Sequence, residues 1–144
     1  MKISNDAQAV VYKQGDQGLL FLVLKRFDPD KNETHYRLIK GRIKEKEGET
    51  SEVAVLREIK EEAGLTKLRI VSKIPSYSYE AGDVRHEVSV FLVENTAEEL
   101  VSVDSSEEGA FTIEGATWFR VEDIATKLNF EVERAAIREG LKLV

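Results

Sequence analysis

GRIKEKEGETSEVAVLREIKEEAGL, Gly41 to Leu65, decides how the rest of the chain is read. Thr50 or Ser51 can cap a helix, and Gly64 is placed to end it. At about 100° per residue, Val53, Leu56, Ile59 and Ala63 fall on one arc of that helix and Glu58, Glu61 and Glu62 on another. The spacing predicts one face for a core and one face of clustered negative charge. Like charges one turn apart repel by about 0.2–0.5 kcal/mol, so the cluster is inexpensive while solvated, and acidic helical faces are common as plain surface. The cluster becomes useful if a hard cation sits on it. Mg²⁺ takes oxygen ligands and is usually held by one or two carboxylates together with substrate phosphates and water.

Arg57-Glu58-Ile59-Lys60-Glu61-Glu62-Ala63-Gly64-Leu65 resembles, at every constrained position, the second half of the Nudix box, R-E-U-x-E-E-x-G-U with U an aliphatic residue. Glu49 lies eight residues before Arg57, which is also the family's spacing. One departure is clear. The family's first glycine would fall at position 43, where this chain has Ile43. The nearest upstream glycine, Gly41, follows Lys40 as in the family's lysine-glycine pair, so the intervening loop reads as two residues longer.

The resemblance implies an α/β fold, a Nudix-like α/β/α sandwich with a mixed sheet, formed by residues 1–144 as a single domain. It also implies hydrolysis of a nucleoside diphosphate linked to another group. On that reading Glu58, Glu61 and Glu62 hold Mg²⁺, with Mn²⁺ able to replace it at oxygen-rich sites. Glu58, Glu61 and Arg57 form the expected catalytic set. Glu61 or Glu62 acts as base or orients the nucleophile, and Arg57 orients the carboxylates by hydrogen bonding. Glu49 can pair with Arg57 or join the outer metal shell. Lys40 resembles the family's phosphate-contacting lysine, with Gly41 beside it, and an ammonium there can hold a phosphate oxygen. Many relatives place a further metal ligand or base a few residues before a tryptophan. The expected position before Trp118 is Thr112, so Glu114 is carried as the nearby candidate, with Glu107 and Glu108 as substitutes.

Length and composition set the outer bounds. The chain has 144 residues, 42% hydrophobic and 33% charged, which suits one soluble domain with a real core. A formal charge of −6 argues against general nucleic-acid binding through phosphate contacts. It leaves a phosphate substrate open, because a bound divalent cation reverses the local sign. There is no cysteine, hence no disulfide framework and no thiolate metal site. No apolar run reaches membrane-spanning length and no signal pattern opens the chain, so a cytoplasmic location is expected. The expected partner is a small-molecule nucleotide, with no membrane contact, in a monomer or homodimer.

Along the chain, Ala7–Tyr12 and Leu19–Leu24 read as buried strands, and Tyr36–Ile39 as a short strand delivering Lys40 and Gly41. The run from Arg37 to Lys46 is basic, and Lys44 and Lys46 read best as a solvated turn. Leu68–Lys73 and Val88–Val93 read as strands, with Tyr77 and Tyr79 on one side of the extended segment between them, next to the box helix. The two tyrosines are either a strand-face pair or a stacking surface for a purine. His86 can donate to a phosphate, although a lone histidine at a strand start is more often structural. Asn95–Glu108 reads as an acidic surface loop with a short helical turn. Val121–Lys127 and Phe130–Leu143 read as helices.

The Ser76–Tyr79 segment and the C-terminal GATWFRVEDIATKLNFEVERAAI resemble the diadenosine tetraphosphate hydrolase group within the family. The alternatives are a nucleoside triphosphate pyrophosphatase, an ADP-ribose pyrophosphatase or an RNA 5′ pyrophosphohydrolase. A catalytically silent nucleotide-binding sensor is the alternative outside enzymes, and the intact Glu58, Glu61 and Glu62 argue against it.

Overall fold

The first strand already shows the layering. In β1 (Lys2–Gly15), Ala7, Ala9 and Val11 enter one hydrophobic cluster while Val10 and Tyr12 enter another. Side chains alternate across a strand, so a strand buried on both faces reads as a continuous apolar run. β2 (Gly18–Asp28) repeats the pattern, sending Leu22 and Leu24 one way and Phe21 and Val23 the other. β6 (Val84–Asn95) does so with Phe91 and Val93 against Val90 and Leu92.

The computed structural model describes residues 1–103, 107–108 and 111–144. Its remaining elements are β3 (Glu33–Arg37), β4 (Ile39–Arg42), α1 (Ser51–Ala63), β5 (Leu68–Ala81), β7 (Glu107–Glu108), β8 (Phe111–Arg120), α2 (Val121–Lys127) and α3 (Glu131–Leu141). The sheet runs β5-β6-β1-β2-β8-β7, with β4 added on β1 and β3 on β2. It is mixed, because β1 and β6 run parallel while the other pairs are antiparallel. α1 supplies Ala54, Val55, Ile59 and Ala63 to one cluster; α2 and α3 supply Ile124, Ala136 and Ile137 to the other. Helices therefore cover both faces, as expected for the α/β/α arrangement.

Two local expectations are corrected, and a third is tested over part of its span. The strand expected over Tyr36–Ile39 breaks at the buried Leu38. β1 and β2 pair with each other only from Tyr12–Phe21 to Gly15–Gly18; away from that turn, β3 pairs with β2 and β4 with β1. One segment thus serves two neighbours and must change partner midway. Of the short helical turn expected within Asn95–Glu108, residues 104–106 lie outside the described residues and none occurs in residues 96–103. That stretch runs past the end of α1, where Ser102 N donates to Ala63 O at 2.8 Å, and Val101 and Val103 pack on the α1 core. Finally, Val53 is 55% exposed, and Ala54 and Val55 take the inward positions instead.

Candidate active site

The caps of α1 form where the sequence places them. Thr50 Oγ1 accepts from Val53 N at 3.3 Å, and Gly64 ends the helix at φ 73°, its N–H donating to Lys60 O. The left-handed conformation favours glycine. A side chain there would also approach Ser102, with its backbone oxygen 3.0 Å from an added Cβ.

Arg57 is the hub of the box. Its Nε donates to Glu49 Oε2 at 2.6 Å and its Nη2 to Glu49 Oε1 at 2.9 Å, a two-pronged grip on one carboxylate. Nη1 reaches Glu58 Oε1 at 2.7 Å and Glu61 Oε2 at 3.0 Å, and Nη2 also donates to Arg42 O at 2.9 Å. One planar guanidinium thus fixes the start of the loop, its end and two of the three box glutamates. Lys44 N donates to the same Glu49 carboxylate, closing the longer loop around a single 3₁₀ turn at Glu45–Glu47. The Arg57 hydrogen bond holds the Glu49 carboxyl down from the usual 4.5 to about 2.

The glutamates do not form one solvated face. Glu58 and Glu62 are buried, at 4% and 5% exposure, whereas the Glu61 side chain is half exposed. Glu58 lies against β4, and the reason it can is Gly41. A Cβ built on Gly41 would sit 2.0 Å from Glu58 Cδ and 2.1 Å from its Oε1, so the missing side chain is the space the carboxylate occupies. Among the described residues no three His, Asp or Glu side chains are gathered closely enough to form a metal cage. The cation that the carboxylates share here is Arg57, whose guanidinium sits among Glu49, Glu58 and Glu61.

Lys40 and Gly41 belong to opposite faces of β4. Gly41 pairs with Ala7 and Lys40 with Gln8. Lys40 therefore lies on the face away from α1, beside Tyr79, to whose hydroxyl its Nζ donates. Its ammonium is also 4.5 Å from the Tyr79 ring centre. His86 stacks on Tyr79, centroids 4.6 Å apart and planes 7° from parallel. Tyr77 continues the row, 6.2 Å from Tyr79, but it belongs to the core side. Its hydroxyl donates to Gln8 Oε1 at 2.9 Å, and burial pushes the phenol above its usual range, with the Glu133 charge adding to it. The expected position of the tyrosines beside the box helix is thus corrected: they flank β6 on the opposite face.

Other expected site residues fall elsewhere. Glu114 is exposed on β8, beside the register shift at Lys25/Arg26, outside the Arg57 cluster. The side chains of Glu107, Glu108 and Thr112 lie outside the described residues. Lys44 and Lys46 are exposed as expected for a solvated turn, but with Lys2, Arg42, Glu45 and Glu47 they wall an open cleft of about 470 Å³.

Sequence reasoning missed the polar groups under the second face. Gln8 Nε2 donates to Glu133 Oε2 at 2.8 Å, and Glu133 Oε1 accepts from Arg37 Nε at 3.1 Å and from Leu38 N at 3.3 Å. Burial pushes the Glu133 carboxyl above the usual range, while Arg37 opposes that. Nearby, the buried Asp6 accepts from Ser4 Oγ at 2.7 Å and from His86 Nδ1 at 2.8 Å. A signal was present: Ser4, Asp6 and Gln8 continue, two residues at a time, the inward register of Val10 and Tyr12.

A family model described as the NUDIX domain matches residues 4–140. No curated protein sequence matches the chain. Among solved structures, a Caenorhabditis elegans Ap4A hydrolase binary complex superposes with a TM-score of 0.78 at 22% identity, covering 96% of each chain. The NUDIX domain of Shewanella oneidensis NrtR complexed with ADP ribose gives 0.71 at 17%, covering 98% of this chain and 90% of that one. The Escherichia coli dihydroneopterin triphosphate pyrophosphohydrolase gives 0.68 at 19%, covering 96% of each chain. At such identities these three likenesses speak to the fold, whereas the family match spans nearly the whole length. The chain belongs to the Nudix family and is a hydrolase of a nucleoside diphosphate derivative.

Proposed function

We propose that this protein, acting as a single domain over residues 1–144 and in the cytoplasm, hydrolyses a dinucleoside polyphosphate, with diadenosine tetraphosphate giving ATP and AMP as the reference reaction. The observation that carries this reading is the division of labour between two consecutive residues. Gly41 makes room for the Glu58 carboxylate on one side of β4, and Lys40 joins Tyr79 and His86 on the other. A polyphosphate lying along β4 meets carboxylates at one side and a cationic, aromatic surface at the other. The fold likeness to an Ap4A hydrolase supports the same choice.

Glu58, Glu61 and Glu62 are the residues that would hold a divalent cation, Mg²⁺ or Mn²⁺, one or two of them at a time, since the three are not gathered into a cage. The donors are all carboxylate oxygens, two of the three residues are buried, and Gly41 gives Glu58 a fitted cradle. Such a set suits a cation held by one or two carboxylates and completed by substrate phosphates. When bound, the cation would neutralise phosphate oxygens and polarise a water. Arg57 keeps Glu58 and Glu61 in place. Lys40 offsets charge on a phosphate oxygen, and His86 supplies a further ring nitrogen.

A panel of diadenosine tetraphosphate, ADP-ribose, nucleoside triphosphates and 5′-triphosphorylated RNA, with Mg²⁺ and product identification, tests the reading. ATP and AMP from the dinucleotide, with heavy oxygen from labelled water in one of them, are expected. Release of pyrophosphate from triphosphates with no cleavage of the dinucleotide would refute it. The neighbour complexed with ADP ribose favours a second reading, in which ADP-ribose yields AMP and ribose phosphate.

A further inference from the structure

We infer that Asp6 is a positioning residue for the substrate face, setting the imidazole of His86 and the ammonium of Lys40 toward a phosphate; this rests on the reading that Lys40 and His86 meet the polyphosphate. Asp6 is only 3% exposed, and its partners come from three strands, Ser4 from β1, Lys40 from β4 and His86 from β6, while Tyr79 of β5 touches the last two. Ser4 Oγ donates to Oδ1 and His86 Nδ1 to Oδ2, while Lys40 Nζ lies 3.9 Å from that same Oδ2. A buried carboxylate is costly unless paired and hydrogen-bonded, so it is held where a partner needs it.

The direction of these bonds fixes the ring. An ionised carboxylate only accepts, so Nδ1 of His86 carries the hydrogen that points at Asp6. Nε2 is then the nitrogen left for a ligand. Stacking on Tyr79 sets the plane of the ring, and the bond to Asp6 sets its rotation within that plane. Lys40 is constrained in the same way, between the Tyr79 hydroxyl and the Asp6 carboxylate. Both side chains remain partly accessible, His86 at 22% and Lys40 at 14%, whereas Asp6 is covered. The exposed pair is what a substrate can meet, and Asp6 acts through it.

The test measures binding of methylene-bridged ADP, a non-hydrolysable probe, to Asp6→Asn, Ser4→Ala, Lys40→Ala, His86→Ala and the Asp6→Asn/His86→Ala pair, alongside thermal melting and ring ¹⁵N shifts of His86. Asp6→Asn is expected to weaken probe binding about tenfold, the effect of removing one charge-assisted hydrogen bond. It should also change the protonation pattern of the His86 ring nitrogens. Added to His86→Ala, it should cost clearly less, because part of its effect runs through the imidazole. Ser4→Ala, a milder change less demanding of the fold, should shift binding in the same direction by a smaller factor. If Lys40→Ala and His86→Ala bind the probe as the wild type does, the phosphate-face reading falls and the inference with it. If those two weaken binding but Asp6→Asn and Ser4→Ala lower only the melting temperature, the inference alone is overturned. Full additivity of Asp6→Asn with His86→Ala overturns the His86 route.

Discussion

Replacing Gly41 by alanine tests the link between the box helix and the sheet at its tightest point. The added Cβ would stand 2.0 Å from Glu58 Cδ, 2.1 Å from Oε1 and 2.5 Å from Oε2. Carbon atoms in contact stand about 3.5–4.0 Å apart, so the carboxylate must withdraw by roughly 1.5 Å. What yields is the far end of a flexible side chain, and the backbone need not move. The cost is therefore that of the bonds the carboxylate gives up. Among the bonds at stake is that from Arg57 Nη1 at 2.7 Å, and Arg57 cannot follow, because Glu49 and Arg42 O hold its other nitrogens. A hydrogen bond to a charged group is worth about 1.5–3 kcal/mol. At about 3 °C per kcal/mol for a chain of this size, melting should fall by roughly 4–9 °C.

Turnover should suffer far more than stability, since the displaced group is a box carboxylate. Calorimetric melting, Mg²⁺ titration and steady-state turnover on the purified variant measure both. Gly115→Ala is the control, because a Cβ at Gly115 meets nothing within 4 Å. A double variant isolates the cause. In a Glu58→Ala background the clash is gone, so Gly41→Ala should add little further loss, with a coupling of about 0.5–3 kcal/mol. An equal cost of Gly41→Ala in both backgrounds, or a single variant that melts and turns over like wild type, would refute the reasoning.

Glu61→Gln removes charge from a half-exposed side chain, so the melting temperature should stay nearly constant while turnover falls by orders of magnitude; near-normal turnover at saturating Mg²⁺ would remove Glu61 from the site. Arg57→Lys keeps the charge but loses the fork, and should cost about 1.5–3 kcal/mol in urea unfolding together with weaker Mg²⁺ affinity in titration. Glu49 is depressed from 4.5 to about 2, so the stability it contributes is complete above about pH 5 and fades as pH falls toward 2. The stability gap between wild type and Glu49→Gln should close over that interval, and a gap constant from pH 6 to pH 3 would contradict it. Tyr77→Phe should lower stability by about 1 kcal/mol by removing the bond to Gln8 while sparing KM; Tyr79→Ala should raise KM about tenfold, and the opposite assignment would exchange the two rings' roles.

The box helix was legible because its signals are local. Thr50, Gly64 and the run from Arg57 to Leu65 each specify something within one or two turns, and the apolar alternation of β1, β2 and β6 specifies two buried faces. What the sequence could not supply was which surface each polar residue meets. Val53 and Val55 are chemically alike and two residues apart, yet only Val55 is inward, because the face that α1 turns to the sheet runs through Ala54, Val55, Glu58, Ile59, Glu62 and Ala63. Glu58 and Glu62 appeared as a solvated face for the same reason. Glu133 is about as polar as a residue can be, and its burial depends on Gln8 and Arg37, which lie 125 and 96 positions away.

The break at Leu38 shows how the site depends on pairing more than on motif. β4 reaches its position only because the chain leaves β2 at Arg37 and joins β1 at Ile39, opposite Ala9. A slip of one residue in that pairing would turn Lys40 toward α1 and Gly41 toward Tyr79, exchanging the two faces. The register is held by Leu38 and Ile39, consecutive, both 1% exposed, and assigned to opposite hydrophobic clusters. Neither can turn outward without exposing a large apolar side chain, at a cost of about 1.5–3 kcal/mol each. Two apolar residues with no chemistry of their own thus decide that the ammonium of Lys40 and the cradle of Gly41 open to opposite sides of one strand.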